Sequence, residues 1–339
     1  MIRMGVIGCG YWGPNLIRNF HNNPDVELVA IADVDAGRLE QVGRLYPTVA
    51  RHSDHRDIVK DTSIDAIVVS TPVSTHFPLG MEVLESGKHL FVEKPMAASA
   101  DECRRLNDAA DRAGLVVMVG HTFLFSPAVR KISEYIDAGT LGDVYYVSIT
   151  RVNLGIFQHD VNVVWDLAPH DVAMLNHLFG ATPKVVSANG RCYVQRDKGI
   201  EDVAFVTLEY PGGQIANVHV SWLDPNKIRK MTFVGSKQML VYDDVDPTEK
   251  IRVYDKGVEI QPHYDNFGEF QLRLRSGDIF VPRVDSVEPL KIEAQHFVDV
   301  IRGEAEAVSS GHHGLEVVEV LERACMSIRQ DGQPMEMSR

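Results

Sequence analysis

The sequence predicts an α/β protein of two domains: first a parallel sheet covered by helices on both faces, then a mostly antiparallel sheet with helices of its own. Three observations carry this. The chain has 339 residues, 45% hydrophobic and 24% charged, enough for two buried cores at roughly 100–200 residues per domain. Up to about residue 120, compact apolar runs alternate with segments of helical apolar spacing, the pattern of βαβ units. Beyond it, longer runs with period-two alternation are joined by hairpin-type turns.

In order, Ile2–Ile7 reads as a strand ending in glycines, Pro14–Asn22 as a helix, Val26–Ala32 as a strand and Ala36–Leu45 as a helix. Ala66–Ser70, His89–Val92 and Leu115–Val119 are further buried strands, with helices at Pro78–Ser86 and Ala100–Ala113 between them. The second half opens with a helix at Ser126–Ala138, a strand at Val144–Val152 and a helix at Trp165–Leu178. Strands follow at Lys184–Val194 and Ala204–Tyr210, then the turn Pro211-Gly212-Gly213. In Ile215–Trp222, Ala216, Val218, Val220 and Trp222 share one side, and Asn217, His219 and Ser221 the other. Lys230–Val234 and Met239–Tyr242 flank the turn Gly235-Ser236-Lys237-Gln238. Residues 255–290 are poor in pattern and read as a long loop or excursion, and Glu293–Arg302 and Leu315–Ile328 as late helices.

The composition excludes several classes. A formal net charge of −13 disfavours a nucleic-acid partner, because an acidic surface repels phosphate backbones. No apolar run approaches the roughly 18–20 residues of a membrane helix. The N-terminus MIRMGVIGCG shows no secretion signal. Cys9, Cys103, Cys192 and Cys325 are scattered, with no zinc or redox spacing, so a reducing cytoplasm is expected.

Gly8-Cys9-Gly10-Tyr11-Trp12-Gly13 fits GxGxxG between a strand and a helix. In a Rossmann fingerprint the first glycine makes the tight turn, the second admits a pyrophosphate and the third lets helix and strand pack. Helix N-terminal amides then face the phosphates. Asp33 ends the second strand at the distance expected for a ribose-binding carboxylate. It would repel a 2′-phosphate, which favours NAD over NADP, whereas nearby Arg38 pulls the other way. The plain alternative is a glycine turn with a surface aspartate.

Glu93-Lys94-Pro95 follows a strand of the parallel sheet, and ligands of such sheets bind beyond the strands' carboxyl ends. A surface lysine at a turn is the alternative. In WDLAPHD, Asp166 and His170 lie four apart and would project from one helical face. The imidazole suits proton removal from a hydroxyl near neutrality, the carboxylate would orient it, and a lysine ammonium would stabilise the alkoxide. A helix-terminal aspartate beside a packed histidine is the other reading. Lys227, Arg229 and Lys230 form a basic cluster, either a solvated strand end or an anion site for a carboxylate or diphosphate. Glu293 and His296 give a single ExxH, too little for a di-metal bundle, so no metal is expected. His312-His313 reads as a solvated loop pair.

GVIGCGYWG, the Asp33 strand end, STPVSTHF, the EKP tripeptide, VGHTFLFSP and WDLAPHD occur in this order along nearly the whole chain. Together they resemble the glucose–fructose oxidoreductase/inositol dehydrogenase/MocA family. The resemblance implies an NAD-binding Rossmann domain over 1–121. It implies a substrate-binding and oligomerisation domain over 122–339 with a large open sheet that often forms homodimers or homotetramers. It implies hydride transfer between nicotinamide and a sugar or cyclitol carbon, with Lys94, Asp166 and His170 as catalytic residues. Ser70, Thr71, Pro72, Thr75 and His76, with Glu93 and Lys94, match cofactor-bordering positions, beside Gly8, Gly10, Tyr11, Trp12, Gly13 and Asp33. Thr122 replaces the asparagine of many members. It is expected at the substrate with Lys94, Asp166, His170, Lys227 and Arg229.

WDLAPHD, SWLDPNKIRK and GSKQMLVYDD look most like members of nucleotide-sugar metabolism. The expected reaction is therefore NAD-dependent oxidation of a sugar secondary alcohol, on UDP-N-acetylglucosamine or its uronic acid at C3. An inositol or free-sugar dehydrogenase is the first alternative, and a non-catalytic NAD-binding sensor or regulatory subunit the second.

Overall fold

The strand Ile2–Ile7 (β1) lies at the point of a parallel sheet where the order of strands reverses. The computed structural model describes residues 1–260 and 272–337, and the chain falls into two units. The first comprises Met1–Ser126 and Val287–Glu322, the second Pro127–Ser286 and Arg323–Arg339.

In the first unit β1 is followed by α1 (Gly13–His21), β2 (Val26–Ala32), α2 (Ala36–Leu45), β3 (Ala50–His52) and α3 (Arg56–Val59). Then come β4 (Ala66–Val69), α4 (His76–Glu85), β5 (His89–Glu93), α5 (Ala100–Ala113) and β6 (Val117–Gly120). The sheet order is β3-β2-β1-β4-β5-β6, all parallel, as in a doubly wound dinucleotide fold. β4 (AIVV) and β6 (VMVG) are buried at every position, because helices cover both faces. α5 shows the local code plainly. Ser99 caps its N-terminus by accepting the Glu102 N–H, Asp101 and Glu102 occupy the first turn, and Gly114 ends it at φ +65°.

The second unit contains α6 (Pro127–Asp137), β7 (Val144–Leu154), α7 (Val163–Phe179), β8 (Val185–Arg191), β9 (Val203–Glu209), β10 (Ile215–Ser221) and β11 (Leu223–Gly235). β12 (Met239–Asp243), β13 (Ile251–Ile260) and β14 (Leu272–Phe280) follow. The late helices are α8 (Pro289–Ile301) and α9 (Gly311–Arg329), and β15 (Met335–Glu336) is the last strand. Among the described residues the sheet order is β14-β13-β12-β11-β7-β10-β9-β8-β15. All its pairs are antiparallel except β10 with β7, which run parallel. α7 packs on β7, β9 and β10. The alternating burial of β10 follows, with Ala216, Val218 and Val220 inside and Ile215 and Asn217 outside.

The 255–290 reading needs correction. β13 and β14 pair antiparallel there, while residues 261–271 lie outside the described residues. β14 ends the sheet, and Leu274 (79% exposed) and Phe280 (59%) face outward. Ladder hydrogen bonds rather than a buried face hold this strand, so no apolar alternation marked it. His312 and His313 belong to α9 rather than to a loop.

The first unit also takes in residues 287–322 from beyond the 121/122 division. The cause is an aromatic triangle: Phe297 of α8 meets Phe91 of β5 (5.5 Å, 69°) and Phe20 of α1 (6.3 Å, 74°), which meet each other at 5.8 Å. All three rings are fully buried, and edge-to-face pairs add to what their burial already contributes. Arg18 to Glu288 and Arg302 to Asp25 tie the two ends of α8 to the same unit. Among the described residues no helix is long and apolar enough to cross a membrane.

Candidate active site

Three glycines shape the turn between β1 and α1. Gly8 has φ +106°, and a Cβ there would lie 2.2 Å from the Ser70 carbonyl oxygen. A Cβ at Gly13 would lie 2.1 Å from the Gly8 carbonyl oxygen, so helix and strand touch through it. At Gly10 the nearest group is Arg38 Nη1 at 3.6 Å, which leaves the backbone open to a ligand. The arrangement fits a pyrophosphate lying across the turn. Tyr11 is 90% exposed and Trp12 37%.

Asp33 directly follows β2 beside this turn. Its Oδ2 accepts the Cys9 N–H at 2.6 Å and its Oδ1 the Asp35 N–H at 2.8 Å. The carboxylate therefore braces the glycine turn, with lone pairs left for ribose hydroxyls. Burial, then the Asp33 charge, pushes the Cys9 thiol up to about 12, so it stays a neutral thiol near pH 7. Asp35 caps α2 through the Gly37 and Arg38 N–H groups, and Arg38 lies 3.6 Å from its carboxylate.

Beyond β4, the Thr75 hydroxyl donates to the Pro72 carbonyl at 2.7 Å and lies 2.7 Å from the Thr71 hydroxyl. Ser70 is buried. His76 is 1% exposed. Its Nδ1 faces the Pro95 carbonyl at 2.9 Å and its Nε2 the Thr71 carbonyl at 2.8 Å. Burial pushes this imidazole down, opposed by the two carbonyls. The ring thus lies between the turns after β4 and β5, and as a neutral imidazole it donates to one of the two carbonyls. The Lys94–Pro95 peptide is cis. Glu93 is buried, and its Oε2 accepts the Lys94 N–H at 3.2 Å. Thr122 donates its hydroxyl to Glu293 Oε2 at 2.7 Å, so the proton expected for a substrate is engaged within the protein.

In the second unit α7 carries Asp166 and His170 one turn apart. Asn162 caps the helix by accepting the Trp165 N–H at 3.2 Å. One residue past His170, Asp171 forms a buried bidentate pair with Arg151 of β7, both contacts 2.7 Å, which fixes the helix's rotation over the sheet. Asp166 Oδ2 accepts the indole N–H of Trp222 at 2.9 Å. Trp222 is 1% exposed and stacks edge-on against Phe157 at 5.6 Å. Its place in the β10 alternation marked it as core. A buried indole N–H needs an acceptor, the one signal that could have pointed further.

Arg229 is half-buried, with Nη1 3.4 Å from Asp244, and Lys230 lies 3.3 Å from Asp243, so two of the three cations of the expected anion site face carboxylates. Lys227 is exposed. Among the described residues no group of three or more His, Cys, Asp or Glu side chains could hold a metal ion. His296 accepts the Val308 N–H at 3.1 Å through Nε2.

Residues 2–121 match an oxidoreductase family with an NAD-binding Rossmann fold, and residues 129–241 match the GFO/IDH/MocA C-terminal domain. The scyllo-inositol 2-dehydrogenase (NAD(+)) of Bacillus subtilis is 27% identical over 89% of this chain and 86% of its own length. The inositol 2-dehydrogenase of Rhizobium meliloti is 26% identical over 98% of both chains. The UDP-N-acetylglucosamine 3-dehydrogenase of Acidithiobacillus ferrooxidans superposes with a TM-score of 0.79, covering 97% of this chain and 98% of its own. At 23% identity that likeness concerns the fold alone. With both halves matched in order, the chain belongs to the glucose–fructose oxidoreductase/inositol dehydrogenase/MocA family of NAD-binding oxidoreductases.

Proposed function

We propose that this enzyme oxidises a ring secondary alcohol of a cyclitol or free sugar, or reduces the matching ketone, with Lys94, Asp166 and His170 as its catalytic residues. The observation that carries the reading is the face of α7, where Asp166, held by the Trp222 indole, and His170 stand one turn apart. Gly8, Gly10, Tyr11, Trp12 and Gly13 cradle the pyrophosphate of NAD. Asp33 binds the adenosine ribose, and the Ser70–Thr75 turn borders the nicotinamide. Bound there, NAD supplies the acceptor for the carbinol hydride.

His170 takes the hydroxyl proton on a ring nitrogen. Asp166 orients that hydroxyl, and the Lys94 ammonium stabilises the charge that grows on the oxygen. Thr122 and His76 act by holding the turns around the site rather than by touching a ligand. The inositol dehydrogenases similar to this chain over nearly its whole length support a cyclitol. The nucleotide-sugar reading keeps one supporting observation, the exposed Lys227 at the start of β11, whose charge suits a diphosphate.

This reading implies a reducing cytoplasm, supported by four free thiols of which three are buried. It also implies a homodimer or homotetramer through the open face of the second sheet. The exposed Tyr146 and Ile215, paired in register, and the exposed Phe205 stacked on His219 support that surface. Light scattering gives the copy number.

The deciding assay follows reduced-cofactor absorbance across myo-inositol, scyllo-inositol, free hexoses and UDP-sugars. Turnover of a cyclitol or hexose with inert UDP-sugars is expected; the reverse would replace the substrate class. Lys94→Ala and His170→Ala should each lower kcat by roughly 10²–10⁴. Unchanged turnover in both would overturn the assignment.

A further inference from the structure

A second set of ionisable groups lies behind Lys94, wholly within the first unit. Glu93 ends β5 and pairs in register with Gly120 of β6. A Cβ at position 120 would fall 3.0 Å from Glu93 Oε1 and 3.2 Å from Oε2, so glycine there makes room for this carboxyl. Oε2 meets the Lys94 N–H. Oε1 is buried with no hydrogen-bond partner among the described residues.

Glu293 arrives from α8 and is 0% exposed. Its Oε2 accepts the Thr122 hydroxyl, and its Oε1 is likewise buried with no partner among the described residues. Burial pushes both carboxyls up, the Glu93 charge adds to this at Glu293, and the Lys94 charge opposes it at Glu93. The remaining neighbours come from four elements. Trp12 of the glycine turn reaches Glu93, His76 of α4 holds the Pro95 carbonyl, and His121 after β6 meets His313 of α9 edge-on at 5.8 Å. Burial pushes His121 and His76 down, so neither adds a positive charge at neutral pH.

Two carboxylates so enclosed do not both ionise, because each loses its hydration and opposes the other. We propose that in the ionised form of the pair, reached on the alkaline side of neutrality, one proton remains on Glu293 and the negative charge sits on Glu93. That charge keeps the Lys94 side chain an ammonium, as the role proposed for it requires. Both glutamates are positioning residues that act through Lys94. The consequence for turnover rests on the role given to Lys94 above; the charge pair itself does not.

The test separates the two. Competitive labelling with acetic anhydride across a pH series, read by peptide mass spectrometry, reports how Lys94 titrates without any substrate. Glu93→Gln should lower that titration by about one pH unit. Glu293→Gln should leave it where it is, since the amide copies the neutral acid. Gly120→Ala, which keeps the charge but displaces the carboxyl, should move Lys94 in the same direction as Glu93→Gln. Melting temperature and NADH fluorescence establish that each variant is folded. A purely structural role would shift Lys94 equally in the two glutamine variants, or in neither, and either result would overturn the proposal. In turnover, Glu93→Gln should pull in the alkaline limb of kcat with little change in KM. A shifted titration beside an unmoved alkaline limb would sustain the charge pair and overturn the catalytic role of Lys94.

Discussion

Replacing Trp222 by phenylalanine isolates one hydrogen bond of the site. The substitution keeps a ring against Phe157 and removes the indole N–H that Asp166 Oδ2 accepts at 2.9 Å. A hydrogen bond to a charged group is worth about 1.5–3 kcal/mol. If its whole value is expressed in holding Asp166 against the substrate hydroxyl, kcat falls roughly 10- to 100-fold, since about 1.4 kcal/mol is a factor of ten. Trp222 is 1% exposed, so the smaller ring also leaves a void, and a stability loss of about 1–3 kcal/mol is expected. The two effects separate in a double-mutant cycle with Asp166→Asn, following kcat by NADH absorbance and stability by urea unfolding. Trp222→Phe in the Asp166→Asn background should cost little further activity, because the bond is already weakened. Additive losses, with coupling below about 0.5 kcal/mol, would refute the claim that Trp222 works through Asp166.

Three further outcomes are expected. Asp33→Ser should raise the NADP-to-NAD ratio of kcat/KM by roughly tenfold or more, with Arg38 near Gly10 available to meet the added phosphate; an unaltered ratio would mean that Asp33 serves the turn and not the ribose. Arg151→Met should cost about 3–5 kcal/mol in urea unfolding, because it strands the Asp171 carboxylate, and Arg151→Met with Asp171→Leu should recover much of it; a double variant no more stable than the single would contradict this. Burial pushes Glu93 from its ordinary 4.5 to about 7, so between those pH values the folded chain keeps a proton that the unfolded chain releases. Stability therefore falls with rising pH across that window by about 1.4 kcal/mol per unit, about 3 kcal/mol in all, and is flat from this group above it. Glu93→Gln should lack this slope in parallel urea titrations, and identical slopes would show that Glu93 ionises normally.

Much of the fold was legible in local pattern. β2, α2 and α5 occupy the expected residues, because apolar period and caps act within a few residues. The glycine spacing and Asp33 likewise belong to one βαβ unit, where strand, turn and helix follow in sequence. β14 escaped because an exposed strand needs a partner and no buried face.

The sequence by itself determined the two sheet types, the dinucleotide turn and the pairing of Asp166 with His170 on one helical face, all consequences of short-range periodicity. Tertiary structure alone decided that Trp222 holds Asp166 across 56 residues, that Thr122 donates to Glu293 across 171, and that α8 packs with the first unit. Such contacts depend on strand register and on which faces meet when the chain returns. A hydrogen bond acts over about 3 Å, and no spacing along the chain encodes that distance.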